Sequence, residues 1–189
     1  MTRADLPIVT PRLILRPFAP TDLAALKAIY EPPESSRYLY SEPFDEESAL
    51  KGLARRLDVP EFDGDKQTLN LAAELKATGE VVGDLLFFYG SHVHRQGEIG
   101  YVYRPDAQGQ GLATEALREV MKLGYEAAGA HRIVARCDAR NAASIRVMTA
   151  LGMRPEAHFR ENEFVKGEWT DEIVYALLAS EWRDSARRA

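Results

Sequence analysis

The sequence has a single cysteine, Cys137, among its 189 residues, and no hydrophobic run as long as a membrane-spanning helix requires. One cysteine cannot form an intrachain disulfide, which is typical of proteins from a reducing compartment. The first ten residues carry Asp5 and Pro7 and lack the apolar segment of a secretory signal. We therefore expect a cytoplasmic protein that does not insert into a membrane.

The chain has a formal net charge of −5 and few clusters of positively charged residues. Nucleic-acid binding depends on grouped Lys and Arg side chains that neutralise phosphates. The only basic group, Arg183, Arg187 and Arg188, is interleaved with Asp184 and is typical of a solvated helix end. We therefore expect no nucleic-acid partner. Two histidines, His92 and His94, lack an evident third ligand, so we expect no metal site.

Hydrophobic patterns of strand and helix type follow one another along the chain and predict one mixed α/β domain over residues 1–189. Thr21 is expected to cap the first helix, and Leu50, Leu53 and Leu57 are expected to form one face of the second. The predicted order is a strand (12–18), two helices (21–30, 46–57), three strands (68–75, 81–89, 98–103), a helix (112–128), a strand (132–137), a helix (141–151) and two strands (157–165, 170–178).

A glycine-containing loop between a strand and a long helix is the most informative segment. Gly109 and Gly111 allow backbone N–H groups to approach an anion closely, and the helix N-terminus adds unpaired donors and partial positive charge. A Walker loop is excluded because no Lys-Ser/Thr pair follows Gly111. A dinucleotide-binding motif is disfavoured because Thr114 stands where its third glycine belongs. A simple helix cap with two loop glycines is the alternative interpretation.

Two segments resemble a known family. Gln108-x-x-Gly111-x-Ala113 is similar to the Gln/Arg-x-x-Gly-x-Gly/Ala motif of the GNAT N-acetyltransferases. About 30 residues later, Asn141-x-x-Ser144 and the following Leu-Gly-Met are similar to a second segment of that family. The chain looks most like the RimJ/RimL-like branch, which acetylates the N-termini of ribosomal proteins. The resemblance covers residues 8 to 182.

The resemblance implies an α/β (α+β) fold with a mostly antiparallel sheet of six to seven strands, helices on both faces, and splayed strands 4 and 5. It implies acetyl-CoA as cosubstrate, with its pantetheine arm pairing with backbone groups in the gap. The residues implied in coenzyme binding are Tyr101, Val102 and Tyr103 for the arm, and Gln108, Gly109, Gln110, Gly111, Leu112 and Ala113 for the pyrophosphate. Asn141 would bind the arm or the nearby backbone, or else act as an ordinary helix cap.

Acetyl transfer needs a base for the amine, an oxyanion donor and a proton for the leaving thiolate. Glu98 is the candidate base and Glu74 the second choice, although Glu98 would also suit an exposed strand carboxylate. Met148 stands near the position where many relatives carry a catalytic Tyr. Ser144 is therefore the candidate for protonating or holding the thiolate, with an ordinary helix serine as the alternative.

The sequence thus predicts an N-acetyltransferase that acts by direct attack of an amine within a ternary complex. A protein N-terminus, a small-molecule amine and an amino acid all remain open as acceptors, and a homodimer is an analogy from the family. Phe44, Trp169 and Asp171 are candidates for the acceptor wall, and Cys137 is expected to be a small buried apolar residue. The alternatives are a non-catalytic acyl-CoA sensor and a different enzyme with a phosphate-bearing ligand.

Overall fold

The computed structural model describes residues 6–61 and 65–186 and contains one eight-stranded sheet in the order β1-β2-β3-β4-β5-β6-β8-β7. The additional strand relative to the predicted six to seven is β1, which has two residues and is too short to leave a pattern. The strands are β1 (Ile8–Val9), β2 (Leu13–Pro17), β3 (Gln67–Leu75), β4 (Val81–Ser91), β5 (Gln96–Tyr103), β6 (Arg132–Asp138), β7 (Arg154–Val165) and β8 (Glu168–Leu178).

The pair β5–β6 is the parallel pair of this sheet; the other neighbouring strands run antiparallel. Its register has three residue pairs and ends at Glu98 opposite Val134. Both strands continue beyond that point, to Tyr103 and Asp138, without pairing to each other. These are the predicted strands 4 and 5, so the expected splay is present.

Helices cover both faces of the sheet, and each face has its own apolar core. The helices are α1 (Leu23–Tyr30), α2 (Pro33–Ser36), α3 (Glu46–Ala54), α4 (Leu112–Lys122), α5 (Ala142–Ala150) and α6 (Ala179–Ala186). The face covered by α4 carries the larger core, to which Leu117 and Met148 contribute, and α1 and α3 pack on the opposite face around Leu26 and Leu53. A π-helical segment, Leu123–Ala127, extends α4, so the long helix predicted over 112–128 is present.

Two local predictions on the early helices are wrong. The carboxylate of Asp22, not the hydroxyl of Thr21, accepts a hydrogen bond at the start of the first helical segment, from the Ala19 N–H at 2.7 Å. The second helix ends at Ala54, and Leu50 and Leu57 are 51% and 37% exposed. Among the helices of the described residues, none combines the length and apolar character needed to span a membrane.

Candidate active site

The gap between β5 and β6 opens into a cavity of about 620 Å³ that is lined from both faces of the sheet. On the α4 face the lining includes Gly109, Gly111 and Ser144. On the opposite face it includes Tyr30 and Asp84. Since one cavity reaches both faces, two ligands that approach from opposite sides can meet inside the sheet.

The loop before α4 has the backbone geometry of an anion-binding site. Gly109 and Gly111 adopt φ values of +74° and +77°, in the left-handed region that favours glycine. The first intrahelical bond at this end is donated by the Glu115 N–H to the Gly111 carbonyl at 3.1 Å, and the three preceding helical amides lack an intrahelical acceptor. These are the amides of Leu112, Ala113 and Thr114. All three residues line the cavity at the start of the helix, where their N–H groups can bind an anion.

The two loop glutamines hold the loop in shape. The Gln108 side chain donates to the Tyr103 carbonyl at 2.8 Å, and its backbone N–H donates to the Pro105 carbonyl at 3.2 Å. The Gln108 amide is therefore engaged within the protein. Gln110 donates to the Asp106 carbonyl at 3.0 Å and lies outside the cavity lining, whereas Gln108, Gly109, Gly111, Leu112 and Ala113 line it.

The start of α4 is tied to the N-terminal strands through Glu115. One oxygen of this carboxylate accepts from the Thr10 hydroxyl at 2.6 Å, and the other pairs with the Arg12 guanidinium at 2.6 Å. Arg12 also donates to the Gln110 carbonyl at 2.8 Å. These bonds keep the pKa of Glu115 below its usual range against the raising effect of burial. They fix the position of the helix end that borders the cavity.

Asn141 and Ser144 lie at the start of α5, facing β5 across the gap. The Asn141 side-chain oxygen accepts from the Ser144 N–H at 3.0 Å, so Asn141 caps the helix. Asn141 also lines the cavity. The Tyr101 phenol donates to Ser144 Oγ at 3.1 Å. Burial raises the pKa of Tyr101 to about 12, so the phenol stays protonated near neutral pH. The hydroxyl proton of Ser144 is thereby left available for another acceptor.

Glu98 lies on the opposite face, beside Arg136, whose Nε is 3.3 Å from Glu98 Oε2. Burial raises the pKa of Glu98, and the charge of Arg136 only partly offsets this effect. Glu98 lines a smaller cavity of about 180 Å³ that shares Arg136 and Cys137 with the large one. Glu172, a buried carboxylate on β8, accepts from Tyr40 at 3.1 Å and pairs with Arg136 at 3.5 Å.

Glu74, the second candidate base, lines neither cavity. Its carboxylate pairs with the Arg16 guanidinium at 2.7 Å, and Arg16 also pairs with Asp22 at 2.7 Å. The Asp22 carboxylate beside Arg16 raises the pKa of that guanidinium. Glu74 is thus a member of an ion-pair network at the β2–β3 pair.

The residues considered for the acceptor wall occupy different surroundings. Asp171 lines the smaller cavity and accepts from the Glu161 N–H at 2.9 Å. Trp169 is 61% exposed. Phe44 stacks on Tyr30 with ring centroids 4.5 Å apart and supports the cavity wall from behind. Cys137 is half-buried at the gap, and burial raises the pKa of its thiol to about 11.

Several polar residues of the cavities were not singled out from the sequence: Arg56, Asp84, Arg136 and Glu172. Asp84 offered a signal, because it is the single charged residue within the otherwise apolar β4. Arg56 offered none, since it follows the end of α3 and reaches Asp84 only in the folded chain, at 2.7 Å. Long-range ion pairs of this kind depend on topology.

A mostly antiparallel sheet that parts beside an amide-lined helix start, with carboxylates across the gap, is the architecture of an N-acetyltransferase. The sequence matches the family model described as acetyltransferase (GNAT) domain over residues 12–154. The chain therefore belongs to the GNAT family and is an acyltransferase.

Individual proteins agree with this assignment. The N-acetyltransferase YnaD of Bacillus subtilis is 32% identical over 177 residues, which cover 93% of this chain and 98% of the relative. Spermidine N(1)-acetyltransferase of Escherichia coli is 26% identical over 89% of this chain and 87% of its own. The [ribosomal protein uS5]-alanine N-acetyltransferase of Escherichia coli is 29% identical over 84 residues, 44% of this chain and 43% of its own, in keeping with the predicted RimJ/RimL-like branch.

Solved structures agree on the fold. The crystal structure of a GNAT-family acetyltransferase from Bacillus anthracis superposes with a TM-score of 0.83 at 29% sequence identity. The match covers 92% of this chain and 99% of that one. The predicted α/β architecture with a mostly antiparallel sheet is thus confirmed.

Proposed function

We propose that the protein transfers the acetyl group of acetyl-CoA to a primary amine by direct attack within a ternary complex. The observation that carries the proposal is the cavity that crosses the sheet at the β5–β6 gap, with Ser144 in its lining and Glu98 in the adjoining smaller cavity, which shares Arg136 and Cys137 with it. Acetyl-CoA supplies the activated thioester. The described residues supply the two binding surfaces and the proton transfers.

The coenzyme side is the α4 face. Beyond Glu98, the edge of β5 that faces β6 pairs with none of the described strands, so backbone groups of Tyr101 to Tyr103 would bind an extended arm as a strand would, except the Tyr103 carbonyl, which already accepts from the Gln108 side chain. The amides at the start of α4 lie at the C-terminal end of β5, where they would hold the pyrophosphate. An N–H of this strand, near Val102 or Tyr103, would serve as the oxyanion donor.

Glu98 is the proposed base on the acceptor face. A carboxylate whose pKa is raised by burial holds a proton more readily near neutral pH than an ordinary one, which suits general-base catalysis. Glu172 is less suited, because both of its oxygens are engaged, by Tyr40 and by Arg136. Arg136 between the two carboxylates keeps Glu98 in place.

Ser144 is the proposed proton donor to the leaving thiolate, which departs as the thiol of free CoA, and solvent returns a proton to Ser144 Oγ. Its Oγ accepts a hydrogen bond from the Tyr101 phenol, so its own hydroxyl hydrogen points toward another acceptor, and Ser144 lines the cavity. Tyr101 acts through Ser144 and is a positioning residue. Asn141, by capping α5, fixes the turn of helix that carries Ser144.

The acceptor is a primary amine, either the N-terminus of a protein or a small molecule. The relatives named for spermidine and for the alanine of a ribosomal protein point to these two kinds of acceptor. An α-amine with a pKa near 7.8 is roughly a quarter neutral at pH 7.4, so a weak base such as a carboxylate suffices for it.

The test is release of free thiol from acetyl-CoA with a panel of amines and N-terminal peptides, followed by mass spectrometry of the acetylated product. Thiol release that depends on an amine, with a mass increase of one acetyl group, supports the proposal. Tight CoA binding without transfer to any acceptor would instead indicate a sensor. A larger thermal stabilisation by ATP or NAD than by acetyl-CoA would indicate a different coenzyme.

A further inference from the structure

We propose that Glu172 is a positioning residue for the base. Its carboxylate holds the Arg136 guanidinium to one side, so that Arg136 does not close on Glu98 and Glu98 stays free to take the proton of the amine. The inference rests on the proposed function in taking Glu98 as the base. It adds a second carboxylate, oriented by Tyr40, that controls how closely the base is paired.

Glu98, Arg136 and Glu172 lie on one face of three neighbouring strands, β5, β6 and β8. Glu98 is paired with Val134, two residues before Arg136 on β6, and Arg136 is paired with Val174, two residues after Glu172 on β8. Because side chains alternate between the faces of a strand and paired residues share a face, Arg136 is the diagonal neighbour of both carboxylates. Long side chains reach such neighbours, so the fold places the guanidinium between two negative charges.

The Arg136 guanidinium bonds closely to neither carboxylate. Its Nε is 3.3 Å from Glu98 Oε2 and its Nη1 is 3.5 Å from Glu172 Oε1, beyond the roughly 3.2 Å at which most N–H···O bonds end. Arg16, in contrast, contacts each of its two carboxylate partners at 2.7 Å. Arg136 thus has an intermediate position, which leaves Glu98 without a close ion pair.

Glu172 is the fixed member of this cluster, and Arg136 is the movable one. The Glu172 side chain is 9% exposed, whereas those of Arg136 and Glu98 are 48% and 33% exposed. The Tyr40 phenol donates to Glu172 Oε2 at 3.1 Å, which leaves Oε1 toward Arg136. Burial, together with the bond to Glu172, raises the pKa of Tyr40 to about 12, so the phenol remains a donor at neutral pH. Without the charge of Glu172, Arg136 would keep Glu98 as its partner in the cluster and would move toward it.

The charge of Glu172 acts on Glu98 in one direction by two routes. Burial raises the pKa of Glu98, the Arg136 charge lowers it, and the Glu172 charge raises it. Removal of the Glu172 charge therefore lowers the pKa of Glu98 directly, and a closer approach of Arg136 lowers it further. Glu98 would then be a weaker and more tightly paired base, although it would stay deprotonated to lower pH.

The other groups around Glu98 leave this balance to Arg136 and Glu172. Its neighbours on the flanking strands, Phe88 and Val134, are uncharged. The remaining charged or titratable residues of the smaller cavity have partners of their own or stay neutral: Arg37 over the Tyr38 ring, Lys166 on the Ser36 carbonyl, Arg140 with Asp138 and Glu168, Asp171 with His158, and the Cys137 thiol.

The experiment follows the titration of Glu98 by carbon-13 NMR in protein labelled at the glutamate carboxyl groups, without acetyl-CoA. The Glu98 signal is identified by its absence in Glu98→Gln. Glu172→Gln keeps the shape of the side chain and can still accept from Tyr40, and it is expected to lower the titration midpoint of Glu98. Glu168→Gln is the matched control: it removes a carboxylate of the same cavity that pairs with Arg140, and the midpoint should stay at the wild-type value.

The pH dependence of kcat gives a second readout. One pH unit below the midpoint of its acidic limb the wild type keeps about a tenth of its plateau rate, whereas Glu172→Gln is expected to keep at least about threefold more of its own plateau. The plateau should fall roughly threefold to tenfold because the base is weaker, with little change in the KM for acetyl-CoA. A merely structural role of Glu172 would lower the rate alike at every pH.

Glu172→Asp adds a variant that keeps the charge but withdraws it from Arg136 by one methylene group, and its shift should be smaller and in the same direction. An unchanged or higher midpoint of Glu98 in folded Glu172→Gln, or in Glu172→Asp where the first variant does not fold, would overturn the inference. An equal shift in Glu168→Gln would do the same. The titration needs no turnover, so failure of acetyl transfer, or an acidic limb that survives in Glu98→Gln, would contradict only the proposed function.

Discussion

The Tyr101 phenol and the Ser144 hydroxyl meet across the gap, with their oxygens 3.1 Å apart. Tyr101 belongs to the strand that ends at the glycine loop, and Ser144 belongs to the first turn of α5. The bond therefore joins two elements that border the same cavity but come from distant parts of the sequence. Because the Tyr101 hydroxyl donates this hydrogen bond, the Ser144 hydroxyl must donate its own hydrogen bond to a different acceptor.

Substitution of Ser144 tests its role as proton donor. Ser144→Ala is expected to lower kcat by about a hundredfold, the lower range for loss of an acid–base group, with little change in the KM for acetyl-CoA. Tyr101→Phe is expected to lower kcat by a smaller factor, roughly threefold to tenfold, because Ser144 stays in place but loses its orientation. Steady-state kinetics with a fixed acceptor measure both effects.

A control for these two variants is Thr149→Ala on the exposed side of the same helix, where the hydroxyl donates to the Ile145 carbonyl at 2.8 Å. Its kcat should match the wild type. Full turnover in Ser144→Ala would reject the assignment of Ser144.

The pH dependence of the rate tests Glu98. A base acts in its deprotonated form, and burial raises the pKa of Glu98, so the rate should fall with decreasing pH at higher values than an ordinary glutamate would give. Glu98→Gln is expected to remove this acidic limb and to lower kcat by about a hundredfold. Glu74→Gln is the matched control: it breaks the pair with Arg16 and lowers stability but leaves the profile intact.

The same shift has a consequence for stability. A raised pKa in the folded state means that Glu98 contributes stability below its unfolded pKa and loses that contribution as the pH rises through its folded pKa. Glu98→Gln, which stays neutral, should therefore melt no lower than the wild type at pH 7. A clear drop in its melting temperature would mean that the pair with Arg136 outweighs the cost of burying the charge.

Alanine in the glycine loop tests the anion-binding site. Gly109→Ala forces a side chain into the left-handed region, at a cost of about 1 kcal/mol, and disturbs the amides of the loop. It should raise the KM for acetyl-CoA at least fivefold. Gly79→Ala in the β3–β4 turn is a close control, because its φ is +72° and a Cβ there meets no atom within 4 Å. It should lose similar stability while the KM is unchanged.

Alkylation of Cys137 tests its surroundings. With a pKa of about 11, only about one thiol in a thousand is ionised at pH 8, so iodoacetamide should modify Cys137 on the order of a hundred times more slowly than a free thiol. Mass spectrometry measures the rate, and the unfolded protein provides the reference. Because Cys137 lines the gap, CoA should slow the reaction further. Alkylation of the native protein at the rate of the unfolded chain would contradict the buried location.

The sequence predicted the features that arise from local patterns. The long α4, the glycine loop and the split between two strands follow from hydrophobic periodicity, from Gly109 and Gly111, and from the family motif. The two-residue β1 could not be predicted, because its pairing with β2 is decided by tertiary contact alone. The position of Asp22 directly before α1 was missed because Thr21, an equally good capping residue by type, precedes it; the Asp22 carboxylate accepts from the upstream Ala19 N–H rather than from an amide of α1.

Partners distant in sequence account for what the patterns could not predict at the site. Glu74 and Glu98 look alike as single carboxylates on strands, and only the fold pairs one with Arg16 and the other with Arg136. The cluster of Tyr30, Arg56 and Asp84 combines three elements whose contacts depend on the crossing of α1 and α3 over β4.

Among the described strands, β5 and β6 are joined by a ladder of three residue pairs, and this short ladder connects strands β1 to β5 with β6, β7 and β8. An extended ligand that binds in the gap and pairs with both strands would add hydrogen bonds to this ladder. It would therefore strengthen the connection between the two parts of the sheet. The backbone amide protons of β5 and β6 beyond their paired region should then exchange with solvent more slowly once the ligand is bound. Ligand binding in the gap would thus make the whole sheet more rigid, including strands that do not contact the ligand.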